Sequence, residues 1–169
     1  MPPRAGGAAV RVLGSGERRL FHVSFHMAER SAQYKWSDAW LLLAVVYAAG
    51  GGDATLDRII GAGDFINHAI FNQEELESGF SRLTAGGYIE EKDGSFRATA
   101  KVIESYRMTT TPRRTVFKEV EDMRQLLGAA SWTAIDPLPD PENNLNYHGF
   151  SSQLYEEAVS KYVARTKSK

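Results

Sequence analysis

Apolar positions along the chain fall into blocks of different period. Ala39 to Ala49 is an unbroken apolar run of 11 residues between Ser37-Asp38 and Gly50-Gly51-Gly52. It predicts a helix over 38–49, capped by Ser37, apolar nearly all round and so buried on most sides, and stopped by the glycine triplet. Thr55 then caps a short helix whose Leu56, Ile59 and Ile60 share a face, with Asp57 favourably placed in its first turn. Between Gly61 and Phe71 two glycines weaken a helix while Phe65, Ile66, Ile70 and Phe71 demand burial, so a bend or a second short helix is expected.

The stretch from Asn72 to Lys101 carries the most definite pattern. Asn72 followed by Glu75 is a capping-box start, in which the Asn side chain takes a free backbone N–H and the Glu reaches back to the cap. Leu76, Phe80 and Leu83 lie on one face, and Gly86-Gly87 supplies residues that tolerate positive φ at a helix end. Asp93-Gly94 is a strong hairpin signal, because a type I′ turn needs positive φ at both central residues. A two-residue loop sets Glu90 opposite Arg97, Ile89 opposite Ala98 and Glu91 opposite Phe96. Ala100 to Met108 continues as a helix.

Beyond the hairpin, Thr111-Pro112 opens an amphipathic helix over 113–127, within a segment 109–130. Its stripe of Val116, Phe117, Val120, Met123 and Leu127 either packs on the domain or pairs with a second copy, which makes Val116, Val120, Met123 and Leu127 candidates for homodimer contact. Residues 131–149, with Pro137, Pro139 and Pro141 and several Asn, read as an extended linker. Within 150–169, Ser151 or Ser152 caps a last helix to about Ala164, its face made by Tyr155, Ala158, Val159 and Tyr162, followed by a basic tail. Tyr147 to Phe150 is expected to act as a hydrophobic clamp. At the other end, residues 1–36 read as a flexible segment: Met1 to Gly16 is rich in Gly, Ala and Pro, and Phe21, Val23 and Phe25 alternate as in a short strand. Met27 offers a second start, so residues 1–26 are expected to be absent from the native protein; native material beginning at Met1 would overturn that.

Composition narrows the picture. At 169 residues and 43% hydrophobic, one domain with appendages is expected, with a sizeable core. There is no cysteine, which excludes disulfides, thiolate metal sites and cysteine nucleophiles. The 11-residue apolar run is too short to span a bilayer, so a soluble, cytoplasmic protein is expected.

The order of helix, short helix, longer helix, hairpin and helix resembles the winged-helix fold. Ala54-Thr55-Leu56, the Leu76 to Leu83 helix with Gly86-Gly87-Tyr88-Ile89, and Phe96-Arg97-Ala98-Thr99-Ala100-Lys101 are similar to the corresponding pattern of MarR-like and PadR-like regulators, over residues 37–108. The resemblance implies an α+β, mostly helical fold: a three-helix core with a β-hairpin wing, here followed by C-terminal helical extensions. It also implies that the third helix presents a binding surface, made of Gln73, Glu74, Glu77, Ser78 and Ser81. In this sequence 11 residues separate Ile60 from Asn72, whereas a helix-turn-helix has a turn of about three or four.

Charge then decides between partners. Residues 37–97 hold ten acidic and four basic residues, net −6 in a chain of net −1. A carboxylate about 5 Å from a phosphate costs on the order of 0.8 kcal/mol even at bulk-like dielectric, so Glu74, Glu75 and Glu77 together cost roughly 2 kcal/mol, about thirtyfold in affinity. The expected function is therefore a non-enzymatic, regulatory protein-interaction module. The alternative is a DNA-binding transcription regulator contacting DNA through Arg82, Lys92, Arg97, Arg113 and Arg114. Support for an enzyme is slight: the glycine triplet lacks the Lys-Ser/Thr of a phosphate-binding loop, and no Gly-x-Ser-x-Gly elbow or dinucleotide fingerprint occurs. Asp64 and His68 could share a helical face for a metal, but no second pair of ligands is evident; His22 and His26 have similar spacing but lie in the flexible N-terminal segment, and no cofactor is expected.

Overall fold

Six helices and a small antiparallel sheet make up the computed structural model, which describes residues 34–129 and 151–168; the fold is α+β and mostly helical. In chain order the elements are α1 (Trp36–Ala49), β1 (Ala54–Thr55), α2 (Leu56–Asn67), α3 (Gln73–Ala85), β2 (Ile89–Lys92), β3 (Ser95–Ala98), α4 (Ala100–Thr109), α5 (Val116–Leu127) and α6 (Ser152–Lys167). The N-terminal segment through residue 33, the linker over 131–149 and the Tyr147–Phe150 clamp lie outside the described residues.

The apolar run becomes the centre of the fold. Residues 37–46 and Ala48 of α1 are all buried, and Gly50 ends the helix in the left-handed region at φ 56°. The cap differs from expectation. Lys35, not Ser37, is the N-cap, and Asp38 takes the Lys35 backbone N–H at 2.8 Å, while Ser37 is buried in the first turn.

α2 is one continuous helix through Gly61 and Gly63, where a bend or a second short helix was expected, so no second helix occurs there. The glycines are accounted for by neighbours. A Cβ on Gly63 would lie 2.2 Å from the Phe71 ring, which itself stacks on Trp40 with centroids 3.7 Å apart. Trp40 Nε1 donates to the Gly63 carbonyl at 3.0 Å, which completes a joint between α1, α2 and the segment before α3. The connection from α2 to α3 is consequently His68–Asn72, shorter than the 11 residues expected from the sequence.

Helix α3 has the expected reciprocal cap: Glu75 N–H to Asn72 Oδ1 at 2.8 Å, and Asn72 N–H to Glu75 Oε2 at 2.9 Å. It ends in a Schellman motif, with Tyr88 N–H on the Leu83 carbonyl, Gly87 N–H on the Thr84 carbonyl, and Gly87 at φ 70°. Asp93 and Gly94 both have positive φ, 52° and 72°, and β2 pairs with β3 in the expected register, Glu90 facing Arg97 and Ile89 facing Ala98. β1, which the sequence pattern did not reveal, adds to the far side of β3, giving strand order β1-β3-β2. Phe80 of α3 stacks on Phe96 of β3, centroids 4.3 Å apart, and fixes the hairpin to the helix.

The later helices are displaced from their predicted bounds. Thr111 to Thr115 forms a turn, closed by Arg114 N–H on the Thr111 carbonyl, and α5 begins at Val116 with Thr115 as its cap. Its stripe is buried within the chain in part: Val120, Met123 and Leu127 are 3%, 0% and 6% exposed and belong to the core, and Val116 packs against it half-buried, whereas Phe117, expected in the same stripe, is 74% exposed. α6 is capped by Ser151 and runs three residues past the predicted Ala164. Among the described residues, no helix is long and apolar enough to cross a membrane.

Candidate partner-binding face

The candidate surface is the outward side of α3 together with the β2–β3 hairpin. α3 turns Leu76, Phe80 and Leu83 into the core, which leaves Glu74 exposed and Gln73, Glu77 and Ser78 half-buried. Gln73 Nε2 donates to Glu77 Oε1 at 2.6 Å and also to Ser152 Oγ of α6 at 2.8 Å. Ser81 is the exception to the predicted set. It is 8% exposed, turned inward on the flank of the helix, and so is not available to a partner.

Arg82 is likewise withdrawn. Its guanidinium makes a bidentate pair with Asp38 of α1, both bonds at 2.7 Å, with the Asp38 side chain 1% exposed. It also donates to Ser78 Oγ at 3.3 Å. Such a fork is oriented by the buried carboxylate and cannot turn to a phosphate without leaving that charge unpaired. No protein-family model, curated protein or solved structure matches the chain. Function must therefore be argued from the side chains themselves.

The remaining candidate cations divide in two. Arg97 pairs with Glu90 across the hairpin at 2.6 Å, both side chains half-exposed, and the Glu90 hydrogen bond raises the guanidinium pKa. Arg114 pairs with Asp122 of α5, whose hydrogen bond raises its pKa in the same way. Lys92 at the hairpin tip and Arg113 in the turn before α5 are exposed. Of the dimerisation candidates, Val120, Met123 and Leu127 are buried within the chain, where α5 packs on α1, and Val116 is half-buried; a helical stripe of this period fits a cis and a trans partner equally well, and here a cis partner meets it.

Two polar arrangements were not foreseen. Glu119, 5% exposed, accepts hydrogen bonds from the Tyr47 hydroxyl of α1 and from Thr110 Oγ1 at 2.7 Å, which ties α1, α5 and the α4–α5 connection together. Burial and the Glu119 carboxylate both push the Tyr47 hydroxyl pKa up. Asp64 accepts from the Tyr162 hydroxyl of α6, and His68 is the left-handed cap of α2, its N–H on the Asp64 carbonyl. Asp64 is thus engaged through its carboxylate and His68 through its backbone N–H, and no group of three His, Cys, Asp or Glu among the described residues is placed to hold a metal.

Proposed function

We propose that residues 37–108 form a winged-helix domain that works as a non-enzymatic, regulatory protein-interaction module, using the outward face of α3 and the hairpin wing. The element order α1-β1-α2-α3-β2-β3 with strand order β1-β3-β2 supports the winged-helix reading. The observation that carries the protein-partner reading is the placement of charge: carboxylates of Glu74 and Glu77 stand on the α3 surface while Arg82, the one arginine of that helix, is locked on Asp38. A face of this kind repels phosphate and favours a partner surface bearing lysine or arginine. The test is fluorescence anisotropy with a lysine-rich peptide on the full chain and on Glu74→Lys/Glu77→Lys. Salt-sensitive binding that the double reversal abolishes is expected; binding indifferent to the reversal would remove α3 from the account.

A DNA-binding regulator is the second reading, and the five-residue connection His68–Asn72 favours it, because it brings α2 and α3 closer to helix-turn-helix spacing than the sequence implied. On that reading Lys92, Arg97 and Arg113 supply the phosphate contacts.

A further inference from the structure

α6 is attached to the rest of the domain differently from α5. The 12-residue α5 buries Glu119, Val120, Met123 and Leu127, whereas the 16-residue α6 buries only Ala158. Leu154, Tyr155, Val159 and Tyr162 pack half-buried against the core. The rest of the attachment is a row of polar contacts along α2 and the start of α3. Ser152 meets Gln73 at 2.8 Å, the Tyr155 hydroxyl donates to the Phe71 carbonyl at 2.9 Å, Tyr162 donates to Asp64, and Arg165 pairs with Asp57 at 2.9 Å. The partners descend from 73 to 57 as α6 ascends, so the helices run antiparallel.

Gly61 shows that the surface of α2 is shaped for this helix. It lies inside α2, where glycine is a poor helix former. A Cβ there would come 3.1 Å from two carbons of the Tyr162 ring, and the three nearest atoms all belong to α6. Gly63, two residues on, serves the core instead, against Phe71. One glycine of α2 is thus explained by the fold and the other only by the docked tyrosine.

We propose that the outer face of α2 from Asp57, together with the connection after it as far as Phe71, is a helix-docking groove and that α6 is its displaceable occupant. The partner it fits in trans is an amphipathic helix of the same chemistry: two tyrosines seven residues apart, an alanine between them, and an arginine three residues after the second. The tyrosine hydroxyls meet a free carbonyl and a carboxylate, the alanine seats the backbone, and the arginine meets the acidic first turn of α2. This inference is independent of what α3 binds.

Two measurements on the full chain test it. In hydrogen exchange, α6 amides open locally and exchange at least about a hundredfold faster than those of α1 and α5; exchange of all three at one common rate overturns the proposal. The second uses a fluorescent peptide of residues 151–169. The variant Tyr162→Ala/Arg165→Glu, whose own α6 is released, binds the peptide at least about tenfold more tightly than the unaltered chain, in which the tethered helix competes at a local concentration on the order of millimolar. Adding Gly61→Leu to that variant abolishes binding while the helical circular dichroism is retained. Equal binding by all three chains, absence of binding by the released variant, or loss of its cooperative melt would each show that α6 is an integral part of the fold.

Discussion

Replacing Arg82 by methionine tests the joint between α1 and α3 most severely. The substitution keeps length and apolar stem but removes both 2.7 Å bonds to Asp38, a carboxylate whose side chain is 1% exposed. Asp38 keeps the Lys35 backbone N–H as a donor at 2.8 Å. Breaking a buried pair by removing one partner costs about 3–5 kcal/mol, because the uncompensated charge stays in low dielectric. For a domain of this size that lowers the melting temperature by about 10 °C. Asp38→Leu/Arg82→Met removes both charges, so it recovers a large part of the loss, and the cycle gives a coupling of about 2 kcal/mol or more. Urea titration at neutral pH of the four proteins supplies these numbers. An Arg82→Met variant within 1 kcal/mol of the parent would refute the claim that the arginine is committed to the fold, and would return it to the set of groups able to meet a phosphate.

Three further outcomes follow from the packing. Gly63→Ala sets a Cβ 2.2 Å from a Phe71 ring that is stacked on Trp40, and costs about 1–3 kcal/mol by urea titration, whereas Gly61→Ala, facing the movable Tyr162 ring, stays within about 0.5 kcal/mol of the parent. Tyr47→Phe leaves buried Glu119 with Thr110 as its only remaining hydroxyl donor and costs about 1–3 kcal/mol; an unchanged thermal melt would mean that water replaces the lost hydroxyl. The hydrogen bond to Asp64, and then burial, raise the Tyr162 pKa above 10.0, so its contribution to docking is complete below pH 10 and is lost as pH rises through the folded-state value. Absorbance at 295 nm should therefore show phenolate formation accompanied by a fall in α6 protection measured against the intrinsic base-catalysed rate, and Tyr162→Phe should remove the pH dependence of that protection.

What was legible in the sequence was local. The Asp93-Gly94 turn, the hairpin register and the Asn72–Glu75 cap depend on residues within a few positions of one another, and each appears where the pattern put it. The apolar run of α1 declared its burial by composition alone. What could not be read depended on contacts distant in sequence. The partner of Arg82 lies 44 residues away. Helix α2 carries two glycines at the points where Phe71 and Tyr162 approach its backbone, which no local propensity records. The stripe of α5 named an apolar face without saying what covers it; α5 packs on α1, and Phe117 of the stripe stays exposed. β1 is two residues long, too short to show a period, and is fixed only by pairing with β3. On the candidate face, the acidic character of α3 was evident from composition; the burial of Ser81 and the withdrawal of Arg82 needed the fold.

On the function proposed above, the α3 face rejects nucleic acid and serves a protein partner. The most direct test is a salt-titrated mobility shift of random duplex DNA with the unaltered chain and with Glu74→Lys/Glu77→Lys. The unaltered chain is expected to give no shift at low salt, and a salt-sensitive shift is expected once the two carboxylates are reversed. A shift by the unaltered chain that weakens steeply with salt would contradict it and establish the DNA-binding reading instead.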